Sequence, residues 1–106
     1  MKRLFFLAAL VGTAAPAAAP TTRPEPVVAI AAMRFGPAPA ALHAGGTLVF
    51  VNRDIVVHSA TARDRSFDVT IQPHQSVRVP LRHAGAIAFY CRFHPAMQGV
   101  LNVAAH

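Results

Sequence analysis

The apolar residues of this chain fall into short runs that are separated by turn-forming residues. In Ser76–Leu81 apolar and polar residues alternate, which predicts a strand with one buried face, whereas Thr47–Val51 shows no alternation and predicts a central strand. Turn signals such as Gly45-Gly46 recur roughly every 8 to 12 residues, as in all-β sandwiches and barrels. No window has the period of a helix. We therefore predict strands at Val27–Met33, Thr47–Asn52, Ile55–Thr61, Phe67–Ile71, Ser76–Leu81, Ala86–Cys91 and Gly99–Ala104.

The N-terminal part of the chain has the composition of a secretory signal. Met1-Lys2-Arg3 is basic, 4–11 is an apolar run too short to span a membrane, and an Ala/Pro-rich stretch follows. We expect a signal peptide over 1–19, cleaved after Ala17 or nearby, then a Pro-rich linker over 20–26 and a single folded domain over 27–106. This organisation predicts a periplasmic protein with no transmembrane segment in the mature chain.

Charge and length narrow the classes of function. Once Lys2 and Arg3 are removed, eight arginines face four acidic residues, a formal charge of +4. A positive surface favours an acidic protein partner or a location near a membrane. Nucleic acid is not expected to bind, because the arginines form no stripe interleaved with aromatic residues. A chain of 106 residues has room for one small domain and no separate catalytic domain.

The segment from Cys91 to Met97 carries the most specific chemistry. Cys91, His94 and Met97 stand at i, i+3 and i+6, and Cys91, as the only cysteine, cannot form an internal disulfide. Thiolate, imidazole and thioether form a soft donor set that favours copper, and mononuclear electron-transfer copper sites add a second imidazole. His58 is our candidate, because in a two-sheet sandwich its run can meet the end of the 86–91 run at one pole.

Between Val27 and Ala104 the chain resembles the small cupredoxins, the blue copper proteins of the plastocyanin and amicyanin type. The motifs are Phe35-Gly36-Pro37-Ala38, Gly46-Thr47, Asn52-Arg53-Asp54 with His58, Phe67-Asp68, Pro73-His74-Gln75-Ser76 and Tyr90-Cys91-x-x-His94-Pro95-x-Met97-x-Gly99. The resemblance implies a Greek-key β-sandwich that binds one copper ion, as Cu(I) or Cu(II), through His58, Cys91 and His94, with Met97 as a long axial ligand. It implies a one-electron carrier and not an enzyme. We expect a monomer that exchanges electrons with a redox protein such as a dehydrogenase, a cytochrome, an oxidase or a reductase.

The chain departs from the family where proline often precedes the two histidines, since Val57 and Phe93 stand there. We expect the backbone N–H groups of Phe93 and Ser59 to donate to the Cys91 sulfur, which would raise the reduction potential relative to a Phe93→Pro variant. The family also exposes the edge of the second histidine. Around His94 we expect an apolar docking patch made of Val56, Val57, Pro95 and Ala96.

Other interpretations of these residues stay open at this point. A copper carrier or storage protein would use the same ligands, and Cys91 could instead be a nucleophile with His94 as its base, although no third orienting group is evident. Each ligand also has a structural interpretation, as a buried apolar cysteine, a hydrogen-bonded core histidine or a core methionine. We place Met33 in the core and expect Arg92 to be able to face a partner. We expect solvent around the remaining histidines, His43, His74, His83 and His106.

Overall fold

The computed structural model of the protein describes Gly12 and residues 24–106. Within 24–106 every regular element is a β-strand. The strands are β1 (Val27–Ala31), β2 (Arg34–Phe35), β3 (Leu42–His43), β4 (Thr47–Asn52), β5 (His58–Ala62), β6 (Asp68–Ile71), β7 (Ser76–Pro80), β8 (Gly85–Tyr90) and β9 (Gln98–Ala104). The predicted signal peptide lies almost wholly outside the described residues.

The strands form two sheets that pack into a sandwich. One sheet has the order β2-β1-β4-β7 and the other the order β3-β9-β8-β5-β6. β1 runs parallel to β4 and β3 runs parallel to β9, while the remaining pairs are antiparallel. Because β5 and β8 are antiparallel, the start of β5 and the end of β8 lie at the same end of the second sheet. The all-β sandwich predicted from the sequence is confirmed.

Aromatic residues fill the space between the sheets. Phe89 makes edge contacts with Phe35 and Phe50, with ring centroids 4.7 and 5.6 Å apart. Across the β8–β9 pair, Phe89 stands opposite Gly99, where an added Cβ would come within 2.4 Å of the Phe89 ring. A side chain at this position would therefore push the Phe89 ring out of its place. Phe89 lies two residues before Cys91, so this packing fixes the end of β8.

Most of the predicted strands form, with identifiable exceptions. β4 is an interior strand, and Val79 and Leu81 are buried as their alternation predicts. The prediction was wrong over residues 55–57, since β5 begins only at His58 and Ile55 is 83% exposed. The short strands β2 and β3 were missed, because two-residue strands carry no detectable period.

The placement of Met33 in the core was also wrong. β1 ends at Ala31, and Ala32 and Met33 form the turn to β2 with φ angles of 50° and 59°. Left-handed backbone is uncommon for residues with a side chain, and an apolar run gives no sign of it. The turn leaves Met33 40% exposed.

Candidate metal centre

The turn that leads into His58 is held by a buried asparagine. The Asn52 side chain is fully buried, and its amide donates to the carbonyl oxygens of Val56 at 2.8 Å and Ile71 at 3.0 Å. Its Oδ1 accepts the N–H of Asp54 at 2.9 Å. The Asn52 side chain therefore holds the 52–56 turn together and connects it to β6 of the other sheet. His58 follows directly and is itself fully buried at the start of β5.

Asp54 fixes the orientation of the His58 ring. Nε2 of His58 lies 2.8 Å from Oδ2 of Asp54, and the same carboxylate accepts the backbone N–H groups of Ala32 at 2.8 Å and Met33 at 3.0 Å. The bonds from His58 and Met33 hold the pKa of Asp54 below its usual value. An ionised carboxylate only accepts, so Nε2 of His58 donates to it and Nδ1 is turned towards Sγ of Cys91. The sequence showed the Asn52-x-Asp54 turn but not this role of Asp54.

Cys91 is the most perturbed titratable group of the site. It follows β8 and is fully buried. Burial opposes ionisation, but hydrogen bonds from the backbone of Ser59, the rings of His58 and His94 and the backbone of Phe93 outweigh it and lower the pKa of Cys91 from 9.0 to about 6. The Ser59 N–H lies 3.3 Å from Sγ, as expected from the sequence. The sulfur is therefore ready to ligate as a thiolate near neutral pH.

The loop after Cys91 is closed by its own backbone. The N–H of Cys91 donates to the carbonyl of Met97 at 3.1 Å, and the N–H of Met97 donates to the carbonyl of His94 at 2.9 Å. These bonds bring the backbones of Cys91, His94 and Met97, the three predicted ligands of the loop, together in one tight turn. His94 is partly exposed, whereas Met97 is only 6% exposed.

The donor atoms converge at a spacing that suits one metal ion. His58, Cys91 and His94 offer ligand atoms that all lie within 4.8 Å of one another, and Sγ is 3.8 Å from Nδ1 of His58 and 3.9 Å from Nδ1 of His94. With bonds of about 2.1 Å to nitrogen and 2.3 Å to sulfur, a trigonal ion separates those atoms by about 3.8 Å and a tetrahedral ion by about 3.6 Å. The observed spacings match those expected for donors around one ion.

Exposed residues surround the outer edge of His94. A groove beside its ring is lined by Met33, Arg34, Phe35, Ala96, Met97 and Gln98. Of the predicted docking patch, Val56, Pro95 and Ala96 are exposed and Val57 is half-buried. Sequence reasoning missed Met33 at this edge, because only the left-handed turn after β1 brings it there. The four remaining histidines are exposed, as expected.

Comparison with known families agrees with this geometry. The sequence profile described as "Cupredoxin-like domain" matches residues 3–103. The chain belongs to this family. No curated protein matches it. Solved cupredoxin structures do: amicyanin from Paracoccus versutus (Thiobacillus versutus) is 23% identical with a TM-score of 0.63, and the match covers 74% of this chain and 80% of that chain.

Two amicyanin variants are similar to a comparable degree. A methionine-to-alanine mutant in the Cu(I) form is 24% identical with a TM-score of 0.61, covering 74% of this chain and 81% of that chain. A proline-to-phenylalanine mutant in the reduced state is 26% identical with a TM-score of 0.60, at the same coverage of 74% and 81%. These matches place the cupredoxin fold over most of the chain.

Copper is the cofactor of this cupredoxin. The family and the Cys/His donor set agree on it, because soft thiolate combined with imidazole suits copper better than the hard cations. Among the residues that the structure describes, no helix is long and apolar enough to cross a membrane.

Proposed function

We propose that this cupredoxin is an exported one-electron carrier in which His58, Cys91 and His94 hold copper and Met97 is a weak axial ligand. The observation that carries the proposal is the preformed spacing of 3.8 and 3.9 Å between Sγ and the two imidazoles. Bound copper would supply the single-electron couple between Cu(I) and Cu(II). Hydrogen bonds of the chain itself hold the donors in place, so little rearrangement should accompany a change of oxidation state.

The residues around the donors support electron transfer in preference to substrate turnover. His58 and Cys91 are fully buried, which excludes water from the thiolate, while His94 reaches the surface. An electron would therefore enter or leave through the His94 ring. Asp54 holds the ring of His58 so that its Nδ1 faces the Cys91 sulfur. We propose no catalytic role for Cys91.

The surface around His94 suits a transient redox partner. Apolar side chains are exposed there, with Phe93 46% and Met33 40% accessible, and such patches serve brief docking. Arg34 lines the groove beside the ring. We propose an acidic partner, either a dehydrogenase, a cytochrome, an oxidase or a reductase, that meets a monomer of this chain. Its rate of electron exchange should fall as salt is added.

Export rests on the sequence alone. We propose that residues 1–19 are removed, that 20–26 form a linker and that 27–106 is the copper domain in the periplasm. The intact mass of the protein recovered from the periplasmic fraction measures the cleavage site directly. A mass that retains Met1 in the soluble cytoplasmic fraction would contradict export.

The first experiment is the visible absorption and electron paramagnetic resonance spectrum after Cu(II) addition. We expect an intense thiolate-to-copper band and a reversible couple in the wild type, and no such band in Cys91→Ser. His58→Gln should also lose the band, whereas His83→Gln, which changes an exposed histidine, should keep it. A colourless wild type that binds only Cu(I), and releases it readily to a chelator, would favour the carrier interpretation. No copper binding would refute the proposal.

A further inference from the structure

Arg92, the residue after Cys91, lies along its own sheet and does not project freely towards a partner. Its Nε donates to Asp68 at 3.0 Å and to Thr61 at 3.3 Å, and its terminal nitrogen donates to Thr70 at 3.0 Å. These partners belong to β5 and β6, which lie 22 to 31 residues earlier in the chain. The ligand loop is thereby fastened to a sheet edge remote from it in sequence.

The hydrogen bonds form a closed ring that begins and ends at Arg92. The backbone N–H of Arg92 donates to Oγ of Ser59 at 2.7 Å, the Ser59 and Thr61 hydroxyls lie 3.0 Å apart, and the Thr61 hydroxyl donates to Asp68 at 2.8 Å. Since each hydroxyl has one proton, Ser59 must donate to Thr61. Asp68 closes the ring by accepting Nε of Arg92. Every hydroxyl proton in the ring has an acceptor.

The burial of Ser59 and Thr61 indicates that other groups cover the ring. Ala60 and Ala62 belong to the core, so Ser59 and Thr61 point to the outer face of the sheet. They are nonetheless only 0% and 8% exposed. Polar side chains on the outer face of a sheet are normally solvated, so their burial here follows from the ligand loop and the Arg92 side chain that are bonded to them.

Ser59 connects the ring to the metal centre. Its hydroxyl belongs to the ring, and its backbone N–H donates to Sγ of Cys91 at 3.3 Å. We propose that Arg92, Asp68 and Thr61 are positioning residues that hold Ser59 against the Cys91 sulfur and keep water from it. An N–H donor stabilises charge on the sulfur, and that charge is greatest in the reduced state. Opening the ring should therefore lower the reduction potential.

Thr61 offers the cleanest variant, because its side-chain hydrogen bonds go to Ser59, Asp68 and Arg92 and to none of the proposed ligands. Thr61→Val keeps the shape and removes the hydroxyl, which breaks the ring between Ser59 and Asp68, and Thr61→Ser restores it. We expect Thr61→Val to lower the reduction potential and to shift the thiolate-to-copper band, and Thr61→Ser to have wild-type values for both. Asp68→Ala should act like Thr61→Val. A merely structural role of the hydroxyl would change stability and leave the potential unchanged.

Arg78 provides a matched control. Arg78 lies on β7, in the sheet that does not contain β5 and β6, and forms an exposed ion pair with Glu25. Arg78→Gln therefore removes one arginine–carboxylate pair that is remote from the copper site. Arg92→Gln should shift the potential and the band, whereas Arg78→Gln should not. Arg92→Lys keeps the charge but loses the planar fork of donors, so its potential should lie between those of Arg92→Gln and the wild type. Equal potentials in all of these variants would overturn the proposal.

The reduction potential and the thiolate-to-copper band can be measured only if the protein binds copper, so this inference rests on the proposed function. A measurement on the metal-free protein tests the ring separately from copper binding. In the metal-free protein at about pH 9, where the thiolate predominates in both proteins, alkylation of Cys91 by iodoacetamide should be roughly threefold faster in Thr61→Val than in the wild type, because a thiolate that loses a hydrogen-bond donor is more nucleophilic. Thr61→Ser and Arg78→Gln should react at the wild-type rate. Faster alkylation in Thr61→Val supports the ring even if no copper binds. An unchanged rate, in a variant whose circular dichroism is native, overturns it.

Discussion

Replacing Asn52 with alanine tests whether one buried amide holds the turn that presents His58. The substitution removes the donors to Val56 and Ile71 and the acceptor of the Asp54 N–H, three hydrogen bonds in all. The side chain is fully buried, so the released carbonyl groups cannot all regain water. At about 1 kcal/mol per net hydrogen bond, we expect a loss of roughly 3 kcal/mol for the three bonds.

A loss of that size is a large part of the stability of a small domain. Typical domains unfold with about 5–15 kcal/mol, and 1 kcal/mol corresponds to about 4–8 °C for a chain of this size. The metal-free variant should therefore melt roughly 12–24 °C below the wild type. The assay is urea and thermal unfolding of the metal-free protein, followed by circular dichroism, with the slope m compared between the variants.

The control for this prediction is Asn102→Ala, which truncates an exposed asparagine on β9. It should change the unfolding free energy by less than about 0.5 kcal/mol. The turn also carries Asp54, so Asn52→Ala should lose copper to a chelator faster than Asn102→Ala does. If Asn52→Ala unfolds within 0.5 kcal/mol of the wild type at an unchanged m, the amide does not hold the turn and our reasoning about His58 is wrong.

Four further predictions concern the centre and its surroundings. Because the pKa of Cys91 is lowered from 9.0 to about 6 in the folded protein, its thiolate should stabilise the metal-free protein fully above pH 9, and this stabilisation should be lost as the pH falls through 6. The unfolding free energies of the wild type and Cys91→Ser, measured across this range, check the prediction, and a constant difference between them would contradict it. Phe93→Pro removes the backbone N–H of Phe93, which helps to lower the pKa of Cys91, and should therefore lower the reduction potential measured by voltammetry; an equal or higher value would refute this effect. Ala96→Glu should slow electron exchange with an acidic partner without altering the copper spectrum, which stopped-flow kinetics can test against an unchanged rate. Gly99→Ala should destabilise the domain by about 1–3 kcal/mol through its collision with Phe89, and an unfolding midpoint equal to that of the wild type would mean that the ring can move aside.

Much of the fold was predictable because its signals are local. Alternation along a strand and turn residues between strands depend on near neighbours in sequence, so the all-β class and the interior position of β4 followed from them. The predictions failed where the backbone departs from its ordinary conformations. Met33 looks like part of an apolar strand, but the left-handed turn at Ala32 and Met33 carries it to the surface beside His94.

The sequence by itself predicted the chemistry of the proposed centre, because Cys91, His94 and Met97 stand at a spacing at which one loop can bring soft donors together. Only the tertiary structure decided how those donors are held. Asp54 accepts a hydrogen bond from His58, the Ser59 backbone N–H donates to the Cys91 sulfur, and Asp68 accepts from Arg92. These contacts depend on turn geometry and on pairing between strands that are distant in sequence. Such contacts leave no local pattern, since sheet register brings together residues that are 24 or 32 positions apart. One short segment therefore indicates which metal the site binds, whereas the hydrogen bonds that would adjust the reduction potential depend on the fold of the whole sandwich.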